Sequence, residues 1–364
     1  MDLAGDLLAL HRSLGAQPSE QPAAAAVESY GDVEREYRAL TETCGLCDRS
    51  GRDLLRVTGG DRAAFLHGFV TNDIKGLAVG RGRYTAILTA KGKMIGDARV
   101  LCREGELLVD TEPGRGAPIG EFLNQHLISE DAEVADACHS LAVLSFLGPH
   151  ALEAASRAVG QDLGPLEELE LRDLRDDRAN RFALGAPLGG APGVDLFLPH
   201  AHARAFFERA LEAGRPAGLI PVGAKALEVL RVEAGIPRFG PDMGEETIPL
   251  EANLAERAIS FSKGCYVGQE VIARATFRGG VRRRLSGLAF DEGPLPPSGT
   301  ELFAAGPDAR PAAQTLSAVA SPRFGPIALA YVRREHLAEG TELAVKDGRK
   351  ARVRALPFRA PTPA

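Results

Sequence analysis

The run Lys263-Gly-Cys-Tyr-Val-Gly-Gln-Glu270 sets one cysteine in a turn of small residues, two positions after a lysine and five before a glutamate. Gly264 and Gly268 permit backbone conformations and close approaches that a β-carbon forbids. An ammonium group beside a thiol favours the thiolate and lowers its pKa from a free value of about 8.5. Cys265, with Lys263 beside it, is therefore the candidate reactive residue. The competing reading of the same turn is a cysteine packed inside, because free cysteines are among the most buried residue types.

Working outward, Pro249-Leu-Glu-Ala252 precedes the octet, and Leu230-Arg-Val-Glu-Ala-Gly-Ile-Pro237 precedes that. Further back stand Gly92-Lys-Met-Ile-Gly-Asp97, Tyr84-Thr85, Thr71-Asn-Asp-Ile74, Phe65-Leu66, Val57-Thr-Gly-Gly-Asp61 and Cys44-Gly-Leu-Cys-Asp-Arg-Ser50. In this order the segments resemble the YgfZ-type folate-binding proteins, relatives of the glycine cleavage T-protein (aminomethyltransferase). The likeness runs from about residue 30 to about residue 357. The octet is the part specific to the YgfZ-type group, and the other pieces are shared with true T-proteins. The resemblance implies an α+β fold: a three-lobed T-protein-like folate-binding body with ferredoxin-like units, followed by a small C-terminal antiparallel β-barrel. It also implies tetrahydrofolate, or a one-carbon derivative of it, as the cofactor.

The bulk numbers fit such a protein. At 364 residues, with 45% hydrophobic and 25% charged residues, the chain can bury two or three ordinary cores. It has no apolar run of about 18 residues, the length that crosses a membrane. The start, Met-Asp-Leu-Ala-Gly-Asp, lacks the basic and apolar regions of a secretory signal. A net charge of −6 argues against a chain that coats nucleic acid, though a local basic patch stays open. Five cysteines, an odd number without framework spacing, favour reduced thiols in a cytoplasm. Cys44 and Cys47 form a C-x-x-C, but no second ligand pair follows for zinc. No helix is expected to begin at the first cysteine, as a thioredoxin-like motif requires. The plain reading is two small apolar side chains in a strand-like segment.

Periodicity divides the chain into residues 1–28, 29–282 and 283–358. The first piece pairs an apolar helix, 7–14, with a Pro- and Ala-rich linker and is expected to be loosely attached. From residue 50, strands and helices alternate: a strand over 54–58 leads into a helix capped by Asp61, with paired strands at 84–88 and 94–101. A strand at 141–147 followed by a helix to 159 repeats the order seen at 54–69 and suggests a second α+β unit. The charged stretch 161–181 reads as a solvated face. Beyond Arg282-Arg-Arg284, short strands at 285–290, 301–304, 314–320, 326–332, 342–345 and 350–355 alternate with Pro- and Gly-rich loops, the texture of a small barrel.

Folate sets specific demands: a carboxylate for the pterin donors, apolar or aromatic walls for its plane, and Arg or Lys for the glutamate tail. The resemblance puts Asp97 next to the folate, where T-proteins carry an acidic pair; here Gly96 replaces the first acid. It assigns Tyr84 and Phe239 as packing partners, Asp195 to the pterin in place of a family glutamate, and Arg231 as an anion ligand. Read from spacing alone, Arg231 and Glu233 face different sides of a helix and make surface ion pairs. Arg278-Gly-Gly-Val-Arg-Arg-Arg284 suits phosphates or a polyglutamate tail, or else a solvated connector.

The functional expectation is a cytoplasmic tetrahydrofolate-binding accessory protein that supports iron–sulfur cluster assembly or repair, and through it tRNA modification, with Cys265 as its reactive residue. One cysteine cannot hold a cluster, which needs about four ligands, so Cys265 acts transiently or with iron–sulfur proteins or their assembly factors as partners. The rival expectation is an aminomethyltransferase that moves a one-carbon unit to tetrahydrofolate. A demethylase relative is disfavoured because no G-x-G-x-x-G follows a strand.

Overall fold

Alternation of side chains along the strands builds the body, and it decides where the charged residues gather. The structure is a computed structural model and describes residues 3–18, 27–138, 140–174, 181–291, 293–305 and 310–359. Two sheets form the core. The first runs Arg81–Leu88, Met94–Arg103, Glu106–Thr111, Asp53–Thr58, Glu133–Asp136 in spatial order. The second runs Leu171–Asp173, Phe182–Gly185, Gly193–Pro199, Leu141–Leu147, Cys44–Asp48, Leu219–Pro221.

Numbered along the chain within each unit, both sheets follow the strand order second, third, fourth, first, fifth. In each unit helices follow the first and fourth strands: Arg62–His67 and Gly116–Gln125 in one, Ala151–Val159 and Ala203–Gly214 in the other. The recurrence expected from 54–69 and 141–159 is thus a repeat of topology. One difference stands out. Cys44–Asp48 is inserted between the first and fifth strands of the second unit, antiparallel to Leu141–Leu147 and parallel to Leu219–Pro221.

Each sheet turns one face to its helices and the other to its partner sheet. Leu55, Val57, Val100, Leu107 and Val109 pack under the helices of the first unit, while Leu54, Leu101 and Leu108 point the other way. Those three meet Val143, Phe182 and Phe197 of the second sheet, where the two phenylalanine rings stack with centroids 4.5 Å apart. A third lobe follows, made of the helix Ala224–Glu233, the loops to residue 268 and the helix Gln269–Phe277. Its core joins Met243, Leu254, Ile259 and Ile272 to Leu88 and Met94 of the first sheet.

The barrel closes in the order Arg283–Phe290, Gly325–Arg333, Ala313–Ser321, Glu301–Ala304, Glu342–Val345, Lys350–Arg354. It docks on the third lobe through Val232 against Leu285, Ile327 and Tyr331. Below that contact, the buried Glu233 accepts hydrogen bonds from Tyr37 Oη and from Ser321 Oγ, the latter at 2.5 Å.

Several expectations change. The N-terminal helix Leu3–Ser13 is firmly seated rather than loosely attached. Leu7 and Leu10 are buried in the second unit's core, and the fully buried His11 bridges Asp48 Oδ2 (3.0 Å) and Tyr30 Oη (2.8 Å). Most of the linker after it, 19–26, lies outside the described residues. Asp61 does precede its helix but makes no capping bond there; its carboxylate accepts the Asp131 N–H instead. Arg175, Asp176, Asp177 and Arg178 of the charged stretch also lie outside the described residues.

Candidate functional site

The inner faces of the two sheets are apolar at one end and charged at the other. On Met94–Arg103 the inward positions run Leu101, Arg99, Asp97; on the neighbouring strand they run Leu108 and Asp110, with Glu112 just beyond. The register sets Arg99 opposite Asp110 and Tyr84 opposite Arg99. This charged end opens into a cavity of about 150 Å³ between the two sheets and the third lobe. Such a volume holds one compact ring system, not a whole drug-sized ligand, so anything longer must lie out along the mouth.

Charge is densest at the back wall. The fully buried Asp110 accepts from Arg52 Nε at 2.7 Å and from Arg99 Nε at 2.5 Å. Arg52 also binds Glu112, and Arg99 reaches Asp195 at 2.6 Å. Burial alone would raise the pKa of Asp110, Glu112 and Asp195, but the arginines beside them hold all three below the usual carboxylate range. Asp97 behaves differently. Burial, followed by the charge of Glu112, pushes it up to about 6, although Tyr84 Oη donates to its Oδ2 at 2.6 Å.

Five atoms on this cavity make no well-formed hydrogen bond: Asp97 Oδ1, Glu112 Oε2, Arg49 Nε, Arg99 Nη2 and Arg238 Nε, although Arg238 ion-pairs with Glu228 at 3.3 Å and with Glu112 at 3.8 Å. Ten buried polar side-chain atoms are in that condition among the described residues, so half of them converge on one small space. An unmet buried polar group costs about 1–3 kcal/mol. That concentration marks a polar space that a ligand or ordered water completes. The walls add Leu169, Pro187, Leu188, Leu227 and Pro237, which suit a flat heterocycle.

Of the residues singled out from sequence, Tyr84, Asp97 and Arg231 line this cavity. Arg231 is 5% exposed and its guanidinium is fully engaged. It donates to Glu228, Asp242, Ser317 Oγ and the Ile236 carbonyl. The surface ion pair read from spacing is replaced by a buried network, and that network leaves no donor for a ligand. Asp195 is fully buried behind Arg99, bonded to it and to Ser145 Oγ (2.5 Å), and does not reach the cavity. Phe239 packs in the third-lobe core with the Arg115 guanidinium over its ring at 5.1 Å, also off the cavity.

The octet sits elsewhere. Lys263 Nζ donates to the carbonyls of His67 (2.5 Å), Val70 (2.6 Å) and Asn72 (3.1 Å), tying this loop to the first lobe. All three of its donors are spent there, so Lys263 acts as a staple rather than as an ammonium group turned to the thiol. Burial lowers its pKa to about 8. Gly268 is required by a φ of +86° and by contact with the turn at 89–92, where a β-carbon would lie 2.7 Å from the Thr89 carbonyl. Gly264 has no such constraint. Cys265 is exposed and does not line the cavity.

Cys44 and Cys47 are fully buried on opposite faces of their strand, in different cores. Burial pushes the Cys44 thiol up to about 12 and the Cys47 thiol higher still, so neither supplies a thiolate.

Arg49, Arg52, Arg99, Glu112, Glu168 and Arg238 are site residues that the sequence reading passed over. The signal was present in part: charges at alternate positions, 97 and 99 then 110 and 112, in strands whose other face is largely apolar. For Arg49 and Arg238, which stand in loops, there was none.

Residues 7–263 match the GCVT N-terminal domain, and residues 283–361 match the glycine cleavage T-protein C-terminal barrel domain. The aminomethyltransferase of Streptomyces avermitilis is 32% identical, over 96% of this chain and 95% of its own length. That of Moorella thermoacetica is 30% identical, over 90% of each. The crystal structure of glycine cleavage system aminomethyltransferase T from Bartonella henselae superposes with a TM-score of 0.87, at 24% identity and 97% coverage of both chains. That likeness identifies the fold: three lobes and a closed six-strand C-terminal barrel.

Proposed function

The chain belongs to the glycine cleavage T-protein family, and from that premise we propose that its central cavity takes tetrahydrofolate and passes it a one-carbon unit from an aminomethyl donor. The convergence of unpartnered polar groups carries this reading. Asp97 Oδ1 and Glu112 Oε2 are open acceptors suited to the amino and ring N–H donors of a pterin. Arg49, Arg99 and Arg238 offer N–H groups suited to its carbonyl and to a carboxylate tail. The leucine and proline walls suit its plane.

The chemistry asks for a group that exchanges protons near neutral pH: two folate N–H bonds become N–C bonds, the donor's C–N and C–S bonds break, and the two protons leave on ammonia and on the freed thiol. A carboxyl group with its pKa pushed up to about 6 meets that need. Tyr84 fixes its orientation. Asp97 is accordingly the proton carrier, and the Arg52–Asp110–Arg99 layer behind it is the frame that holds the strand ends rigid. The direct test is ammonia release from a lipoyl-bound aminomethyl donor in the presence of tetrahydrofolate; absence of turnover with folate bound would exclude the transferase reading.

Binding is testable separately. Calorimetric titration of the reduced protein with tetrahydrofolate is expected to saturate in the micromolar range, and Arg49→Gln to weaken it about tenfold, the loss of one charge-assisted bond. Equal affinity in that variant would remove Arg49 from the site.

A second reading is favoured by one observation. The thiol of Cys265 faces solvent on a loop stapled to the first lobe, away from the cavity. This suits transient thiol chemistry with a partner, as in support of iron–sulfur cluster assembly by a YgfZ-type member of the family. Cys265→Ala is then expected to abolish rescue of iron–sulfur enzyme activity in a strain lacking the protein, while leaving folate affinity unchanged. Full rescue by the variant would reduce the cysteine to a surface residue.

A further inference from the structure

Arginines gather at the seam between body and barrel with few acids to answer them. The strands Arg283–Phe290 and Gly325–Arg333 are antiparallel, and their register sets Arg283 directly opposite Arg333. Like charges facing each other across a strand pair are destabilising, so the chain carries a local penalty here. Arg282 and Arg334 flank the pair: the Arg334 N–H donates to the Arg282 carbonyl at 3.0 Å, and Arg334 Nη1 to the Gly279 carbonyl at 3.1 Å. Gly280, at a φ of +68°, lets that guanidinium lie close, since a β-carbon there would stand 3.3 Å from it.

With Arg310, which has a partner of its own, these arginines line a cleft of about 620 Å³ whose acids among the described residues are Glu251 and Glu335. Arg283 takes Glu251, at 3.2 Å, and lies over the Tyr331 ring at 4.4 Å. Arg282 and Arg333 pair with no carboxylate among the described residues.

We propose that this seam binds a chain of phosphates, gripped by Arg282, Arg283, Arg333 and Arg334. Guanidinium forks match phosphate oxygens bidentately. In a chain of phosphates each internal group carries one negative charge and two free acceptor oxygens, and each terminal group nearly two charges and three oxygens, packed closer along the chain than the carboxylates of successive glutamates. Four closely set guanidinium groups around one cleft call for the denser anion. Its arrival would also cancel the Arg283–Arg333 repulsion. The chain's net charge of −6 is no obstacle, because opposing charges elsewhere are screened beyond about 10 Å at 0.1 M salt.

The test is calorimetric titration of the full chain with inorganic tripolyphosphate at about 0.1 M salt, beside the double variant Arg282→Gln, Arg333→Gln. One saturable site is expected, at least about tenfold weaker in the double variant, weakened by added salt, and unaltered by Arg49→Gln in the central cavity. Equal binding by the double variant overturns the proposal, and so does loss of binding in Arg49→Gln. A hexaglutamate peptide that binds as tightly as tripolyphosphate would assign the seam to carboxylate chains instead and also overturn it. Thermal unfolding without ligand supplies an independent readout. Arg333→Gln should melt at the same temperature or higher, because it relieves an opposed pair; a clear drop would make Arg333 a structural residue and end the proposal.

Discussion

Asp97→Asn is expected to slow ammonia release from an aminomethyl donor by two to four orders of magnitude, the usual contribution of a positioned acid or base, and to yield a protein more stable than the native one above pH 6. The two effects share a cause. Burial and Glu112 raise the folded-state pKa of Asp97 from 3.8 to about 6, so the folded state binds its proton more tightly than the unfolded chain. Its stabilising contribution is complete below pH 3.8 and is lost as pH rises through 6. That span of about two units corresponds to at most about 3 kcal/mol at neutral pH. Asparagine, neutral at every pH, avoids the loss and can still accept from Tyr84. Unfolding midpoints compared at pH 4 and pH 8 check this: the variant's advantage should be present at pH 8 and absent at pH 4. An active Asp97→Asn protein would remove the residue from the proton transfer. An inactive variant without the stability gain would mean that the carboxyl group is ionised and paired in the folded state.

Asp110→Ala is expected to be the most damaging single change in the body. Its carboxylate is fully buried and holds Arg52 and Arg99 at once. Removing it leaves two guanidinium groups partly unanswered in a dry layer, which costs about 3–5 kcal/mol, and it frees the strand ends that carry Asp97. Denaturant unfolding should show that loss at neutral pH. Since the arginines hold the pKa of Asp110 down, its stabilisation exists above the unfolded value of 3.8 and disappears as pH falls below it. The gap between native and variant should therefore narrow in acid. A variant within about 1 kcal/mol of native stability would mean that the layer relaxes around the gap and is not the frame of the site.

Much of the architecture was legible along the chain. The barrel strands fall within a residue or two of the segments read from turn spacing, because short strands between Pro- and Gly-rich loops leave few other readings. Leu141–Leu147 and Ala151–Val159 were visible for a similar reason, an apolar run followed by helical spacing. The insertion of Cys44–Asp48 into the second sheet was not visible, since nothing local tells a strand which unit it will join. The N-terminal helix misled for the same reason: its anchor is His11, whose partners at Asp48 and Tyr30 are 37 and 19 residues away.

The site divides along the same line. Sequence by itself determined the strand period, and with it which residues of each strand share a face; Asp97 and Tyr84 were in view through the family resemblance. Only the tertiary structure decided what each charge meets. It spent Lys263 on three carbonyls and Arg231 on an internal network, withdrew Asp195 behind Arg99, and left Asp97, Glu112, Arg49, Arg99 and Arg238 with unmet bonds around one cavity. The period of a strand is a property of its own backbone. Whether a buried charge is satisfied depends on groups brought in from distant parts of the chain, and in a low-dielectric interior that difference separates a structural residue from one open to a ligand.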